Sequence, residues 1–120
     1  MAPDAKYVVD IGDLDHDSVS SLACSGLTSF TVVKNAVTSP KQTMVITGIG
    51  GLGLMVVQIA RSLLNPTIIT VDIDDKRLKH ASKLGADHVV NSRSGDAVKQ
   101  VKNITKALVP KQWWILLMVQ

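Results

Sequence analysis

Gly48, Gly50 and Gly53 fall at the spacing G-x-G-x-x-G within Met44-Val45-Ile46-Thr47-Gly48-Ile49-Gly50-Gly51-Leu52-Gly53. Between an apolar strand and an apolar helix, that spacing cradles the pyrophosphate of a dinucleotide. Each glycine has its own task. Gly48 permits the tight turn out of the strand. Gly50 lets the backbone approach the phosphates, where a side chain would occupy their space. Gly53 lets the helix pack close to the strand. Gly51 and Leu52 open that helix, whose free N–H groups and positive dipole favour an anion.

Glycine spacing alone is weak evidence, because glycine-rich turns are common. The context strengthens it. A second apolar strand, Thr67 to Val71, follows the helix and ends at Asp72, nineteen residues beyond Gly53. An acid about 20 residues on is the one that binds the adenosine ribose. The plain alternative for Asp72 is an acid leading the next helix. Its charge would repel a 2′-phosphate, so the reading favours NAD over NADP. Lys76 and Arg77 stand where a cation would steady the adenosine end, or would simply face solvent.

Other reactive residues are less informative. Cys24 is a lone cysteine, and such a residue on an apolar helix is by default a small buried hydrophobe. Asp13, Asp15, Asp17 and His16 lack the spacing and terminal Glu of a calcium loop. Helix capping accounts for these acids. His16, His80 and His88 have no matching metal partners.

The elements that must position the glycine turn follow from pattern. A first helix spans Ser18 to Leu22 and pauses near Ser25-Gly26. A second, Leu27 to Ala36, puts Phe30, Val33 and Val37 on one face. Ser39-Pro40 ends it. Lys6-Tyr7-Val8-Val9-Asp10-Ile11 suits a short extended piece. The helix from Gly51 to Leu64 is apolar almost all round and must be covered on more than one side. Asn65-Pro66 stops it. After strand two comes a helix from Asp75 to Leu84 burying Leu78, Ala81 and Leu84, with Gly85 as a left-handed cap. Strand three is His88-Val89-Val90. The next helix aligns Val98, Val101, Thr105 and Leu108 and breaks at Pro110. Trp113 to Val119 reads as a buried strand. Alternation of this kind predicts a parallel sheet with right-handed crossovers, in the order 3-2-1-4.

Bulk properties agree. A chain of 120 residues with 46% hydrophobic content suits one layered domain with a core. Its net charge of +3 is spread over the helices, which argues for a solvated surface rather than nucleic acid. One cysteine excludes an internal disulfide and fits a reducing cytoplasm. The apolar tail is far shorter than the ~20 residues of a membrane span, so no membrane partner is expected.

Ser21-Leu22-Ala23-Cys24-Ser25-Gly26-Leu27-Thr28-Ser29-Phe30 resembles the segment just before the coenzyme domain of zinc-dependent medium-chain alcohol dehydrogenases. The similarity continues through the glycine turn, Val71-Asp72-Ile73-Asp74 and Leu84-Gly85-Ala86-Asp87-His88-Val89-Val90-Asn91. It covers about residues 3 to 106. The resemblance implies an α/β partial Rossmann fold preceded by two helices. Residues 1–39 would be an interdomain helical segment and residues 40–120 a truncated dinucleotide-binding domain. The family reaction is hydride transfer between NAD and an alcohol or aldehyde at a catalytic zinc.

Cys24 matches the family's third zinc ligand. The other two ligands and the four-cysteine structural zinc lobe have no counterpart here, so Cys24 is expected to be a vestigial ligand and zinc is not expected to bind. After Lys106 the similarity stops. Each tryptophan has the single codon TGG; read in the third-position frame, Gln112 to Ile115 gives Val or Met, then Val, then Asp. That is the family's fourth-strand pattern, so a frameshift near residues 107–112 is expected. Such a product would be inactive alone and would pair with a second copy through an open sheet edge or uncovered helix faces. Two other classes compete: a stand-alone NAD-sensing regulatory module, which would begin directly at the first strand, and a methyltransferase, which titration with S-adenosylmethionine against NADH would separate.

Overall fold

The computed structural model describes residues 4, 6, 8–36, 40–108 and 113–117, with residues 107, 108 and 113–117 as backbone. Expectations for Tyr7, Val37, Ser39, Pro110, Met118 and Val119 lie outside the described residues.

The chain opens with α1 (His16–Ser20), a π-helical turn (Leu22–Gly26) and α2 (Leu27–Ala36). Asp15 starts α1 by accepting the Ser18 N–H at 2.8 Å. The expected pause near Ser25-Gly26 is absent. The π turn runs directly into α2, with the Leu27 N–H donating to the carbonyls of Cys24 and Leu22. The face of α2 also differs from expectation. Val33 and Ala36 are buried together with Ser29, while Phe30 is exposed. Helical period alone allows either face; contact with the next helix selects this one.

Then come β1 (Thr43–Thr47), α3 (Gly51–Leu63), β2 (Thr67–Asp72), α4 (Asp75–Lys83), β3 (His88–Asn91), α5 (Ala97–Leu108) and β4 (Trp113–Leu117). The strands form one parallel sheet ordered β3-β2-β1-β4. Val45 pairs with Ile69 and with Ile115, and Val71 pairs with Val90. Side chains alternate across the sheet. Met44, Ile46 and Ile68 face α3, α4 and α2, meeting Val56, Val57, Ala60, Leu78 and Ala81. Val45, Ile69, Val71 and Val90 face α5, meeting Ala97, Val101 and Ile104. Helices on both faces explain why strands of a parallel sheet read as unbroken apolar runs. Each fully buried Ile or Val on these faces contributes about 1.5–3 kcal/mol.

Two helices depart in detail from the expected pattern. On α3 the buried stripe is Gly53, Val56, Val57 and Ala60, and Leu52 and Leu63 reach solvent. On α5 Val98 is exposed, and Ala97 and Ile104 join Val101 in its place. Asp74 caps α4 by accepting the Lys76 N–H at 2.8 Å, and Gly85 follows it with φ +116°. Among the described residues, no helix is long and apolar enough to cross a membrane.

Candidate functional site

The site sits where β1 and β2 end beside the start of α3. Gly48 leaves β1 with φ +87°, a conformation that favours glycine. Its N–H donates to the Val71 carbonyl at 2.9 Å, tying the turn to the neighbouring strand. Ile49 then turns inward, and its side chain is wholly buried in the core. Gly50 is the N-cap of α3, with φ −82° and ψ −161°. It offers no side chain to cap the helix. An uncapped start leaves first-turn N–H groups available for an anion. Gly51 and Leu52 lie exposed at this start. Gly53 faces the turn, where a Cβ would overlap the Gly48 carbonyl oxygen. The close approach of helix to turn therefore depends on that missing atom.

Asp72 ends β2 and is 7% exposed. Its Oδ2 accepts the Ile49 N–H at 2.6 Å, and its Oδ1 accepts the Asp74 N–H at 2.9 Å. Burial pushes its pKa up, but the N–H groups of Ile49, Asp74 and Ile73 and the charge of Arg77 outweigh that. The carboxyl is held below its usual range and is ionised at neutral pH. Arg77 lies in the first turn of α4, half in solvent, with Nε 3.8 Å from Asp74 Oδ2. Lys76 beside it is exposed.

The fold thus gathers Gly48, Gly50, Gly51, Leu52, Gly53 and Asp72 at one end of the sheet, with Arg77 on the adjoining helix. Glycine at the positive-φ turn and at the close helix approach, with a buried anionic acceptor at the neighbouring strand end, suits a dinucleotide: phosphates on the helix start, ribose hydroxyls on the carboxylate. Cys24 is not part of this cluster. It lies exposed in the π turn, whose Gly26 approaches Met55 of α3. Among the described residues, no three His, Cys, Asp or Glu side chains come together as a metal site. His16 starts α1, His80 lies on α4 and His88 on β3.

Two contributors escaped the sequence reading. Asn91, at the end of β3, donates from Nδ2 to Asp75 Oδ1 at 2.6 Å and pins the start of α4 beside the site. Arg61, in the last turn of α3, donates to the carbonyls of Gly85 and Pro66, to Asn65 Oδ1 and to Asp87 Oδ2. Asp87 Oδ2 in turn accepts the Ile68 N–H at 2.7 Å. An Arg in the last turn of a helix with an Asn-Pro stop was the available signal.

This arrangement defines an α/β fold with a parallel sheet and a glycine turn at the strand ends. The zinc-binding dehydrogenase family model matches residues 51–110, half of the chain. The chain belongs to that family. It is 37% identical over 107 residues to an NAD-dependent alcohol dehydrogenase of Sulfurisphaera tokodaii, covering 88% of this chain and 31% of that one. A second NAD-dependent alcohol dehydrogenase, from Saccharolobus solfataricus, is 34% identical over 108 residues, again covering 31% of the relative. Among solved structures, the alcohol dehydrogenase of Aeropyrum pernix superimposes with a TM-score of 0.71 at 37% identity, over 78% of this chain and 28% of that one. Benzyl alcohol dehydrogenase of Acinetobacter calcoaceticus gives 0.75 at 32% identity, over 82% and 28%. The chain therefore spans about a third of the length of the relatives it matches.

Proposed function

We propose that this chain binds NAD through its adenosine and pyrophosphate groups and is the NAD-binding portion of a zinc-dependent alcohol dehydrogenase. The observation that carries the reading is the Asp72 carboxylate lying 2.6 Å from the backbone of the glycine turn. Pyrophosphate would rest on the first-turn N–H groups of α3, at Gly50, Gly51, Leu52 and Gly53. The adenosine ribose would donate its hydroxyls to Asp72, and Arg77 would flank the adenosine. The coenzyme supplies hydride acceptance from the alcohol. The described residues contribute binding and orientation, and Cys24 is at most one vestigial zinc ligand. A soluble cytoplasmic setting and a homodimer belong to the same reading; sedimentation of the purified chain tests the latter.

Isothermal titration with NADH tests the binding. Gly50→Val places a side chain in the phosphate path, and Asp72→Ala removes the ribose acceptors. Both variants are expected to bind more weakly than the parent chain. Equal affinity across the three would remove the turn from the site.

A further inference from the structure

Asp72 does more in this fold than wait for a ribose. Ile49 is fixed from two sides: its side chain is buried in the core under the sheet, and its N–H donates to Asp72 Oδ2 at 2.6 Å. Gly48, one residue earlier, is fixed by the Val71 carbonyl at 2.9 Å. The turn that presents Gly50 to a ligand is thus held by two consecutive backbone bonds to the end of β2. One of those acceptors is a side chain. A buried N–H without a partner forces the backbone to shift or admit water.

Resting on the dinucleotide reading, we propose that Asp72 is a positioning residue for the phosphate turn, acting through the Ile49 N–H whether or not a ribose is present. The two roles do not compete. A carboxylate offers about four lone-pair sites. The Ile49 and Asp74 N–H groups occupy one on each oxygen and the Ile73 N–H adds its pull, which still leaves room for a sugar hydroxyl. One carboxylate would then set the shape of the pyrophosphate cradle and read the neighbouring sugar.

The probes are ADP and 2′,3′-dideoxy-ADP, which keeps both phosphates and lacks both hydroxyls. Each is titrated into the parent chain, Asp72→Asn and Asp72→Ala, after circular dichroism has shown that the variants fold. The Asn variant keeps the shape and one acceptor if the Ala variant does not fold. Positioning predicts that the substitutions weaken dideoxy-ADP as well as ADP, by about tenfold for loss of a charged acceptor. Loss of ADP affinity alone, with dideoxy-ADP unchanged, would overturn the proposal and leave Asp72 a ribose acceptor only.

The Ile49 amide resonance gives a ligand-free readout. It should move with Asp72 ionisation in the parent chain and lose that dependence in Asp72→Asn. Should the parent chain bind neither nucleotide, the dinucleotide reading fails, and this resonance alone decides the positioning role. An amide indifferent to both pH and substitution refutes it.

Discussion

Gly53 faces Gly48 so closely that a Cβ on Gly53 would overlap the Gly48 carbonyl oxygen. The obstacle is backbone, which cannot swing aside as a flexible side chain does. Gly53→Ala should therefore push α3 off the turn. Overpacking of this kind costs about 1–3 kcal/mol. Urea denaturation is expected to show that loss, with NADH binding weakened in parallel. A stable variant with native affinity would mean that helix and turn stand further apart.

Gly51→Ala offers the complementary case. A Cβ at Gly51 meets nothing within 4 Å, and the residue is the first of α3. Replacing an exposed helical Gly by Ala stabilises by up to about 1 kcal/mol. Folding should be unharmed or improved, so any fall in NADH affinity reports contact with ligand. An unfolded Gly51→Ala chain would contradict the open space seen here.

These glycines were readable in the sequence because their constraints are local. A turn with φ +87° and a helix that nearly touches it demand particular residues at fixed spacing. The strands were readable because burial on both faces makes them continuously apolar. What was not readable depends on contacts distant in the chain. Arg61 finds Gly85 and Asp87 twenty-four and twenty-six positions on. Phe30 shared a helical period with Val33, but the position of α3 buried Ser29, Val33 and Ala36 instead. The Asp72 carboxylate was assigned to a ribose. That it also holds Ile49 follows only from the parallel register of β1 and β2.

Arg61 ties the end of α3 to the turn before β3, at the other end of the helix from the glycine turn. Arg61→Ala strips donors from the Gly85 carbonyl and a cation from Asp87, which still accepts the Ile68 N–H. Loss of such part-buried bonds costs about 1–3 kcal/mol. The expected result is a lower urea midpoint with NADH affinity little changed. Coupled loss of affinity would place the latch in the binding apparatus.

Acid should act on Asp72 with a definite sign. Its folded-state pKa lies below the ordinary carboxylate value, because backbone N–H groups and Arg77 outweigh the opposing effect of burial. The stabilisation is therefore fully present above that ordinary value and is lost as pH falls through the depressed one. The charged group acting on it from the α4 side is Arg77, with Asp74 bonded to Asp72 through its backbone N–H. The parent chain should exceed Asp72→Asn in stability at pH about 6, and the two should converge only once the pH has fallen through the depressed folded-state value. A gap that persisted into strong acid would assign the difference to shape rather than charge.

Alcohol oxidation is expected to be absent from the 120-residue chain on its own. A catalytic zinc needs three protein ligands and an open position. Cys24 is exposed, and the described residues bring no metal-binding trio together. Purified chain should hold well under one zinc per molecule by atomic absorption. Mixed with NAD and an alcohol, it should form no NADH above the blank. Adding zinc should change neither result, since one thiolate cannot fix the ion. Stoichiometric zinc, with turnover abolished by Cys24→Ser, would instead require ligands gathered from several chains and would make the isolated chain an enzyme.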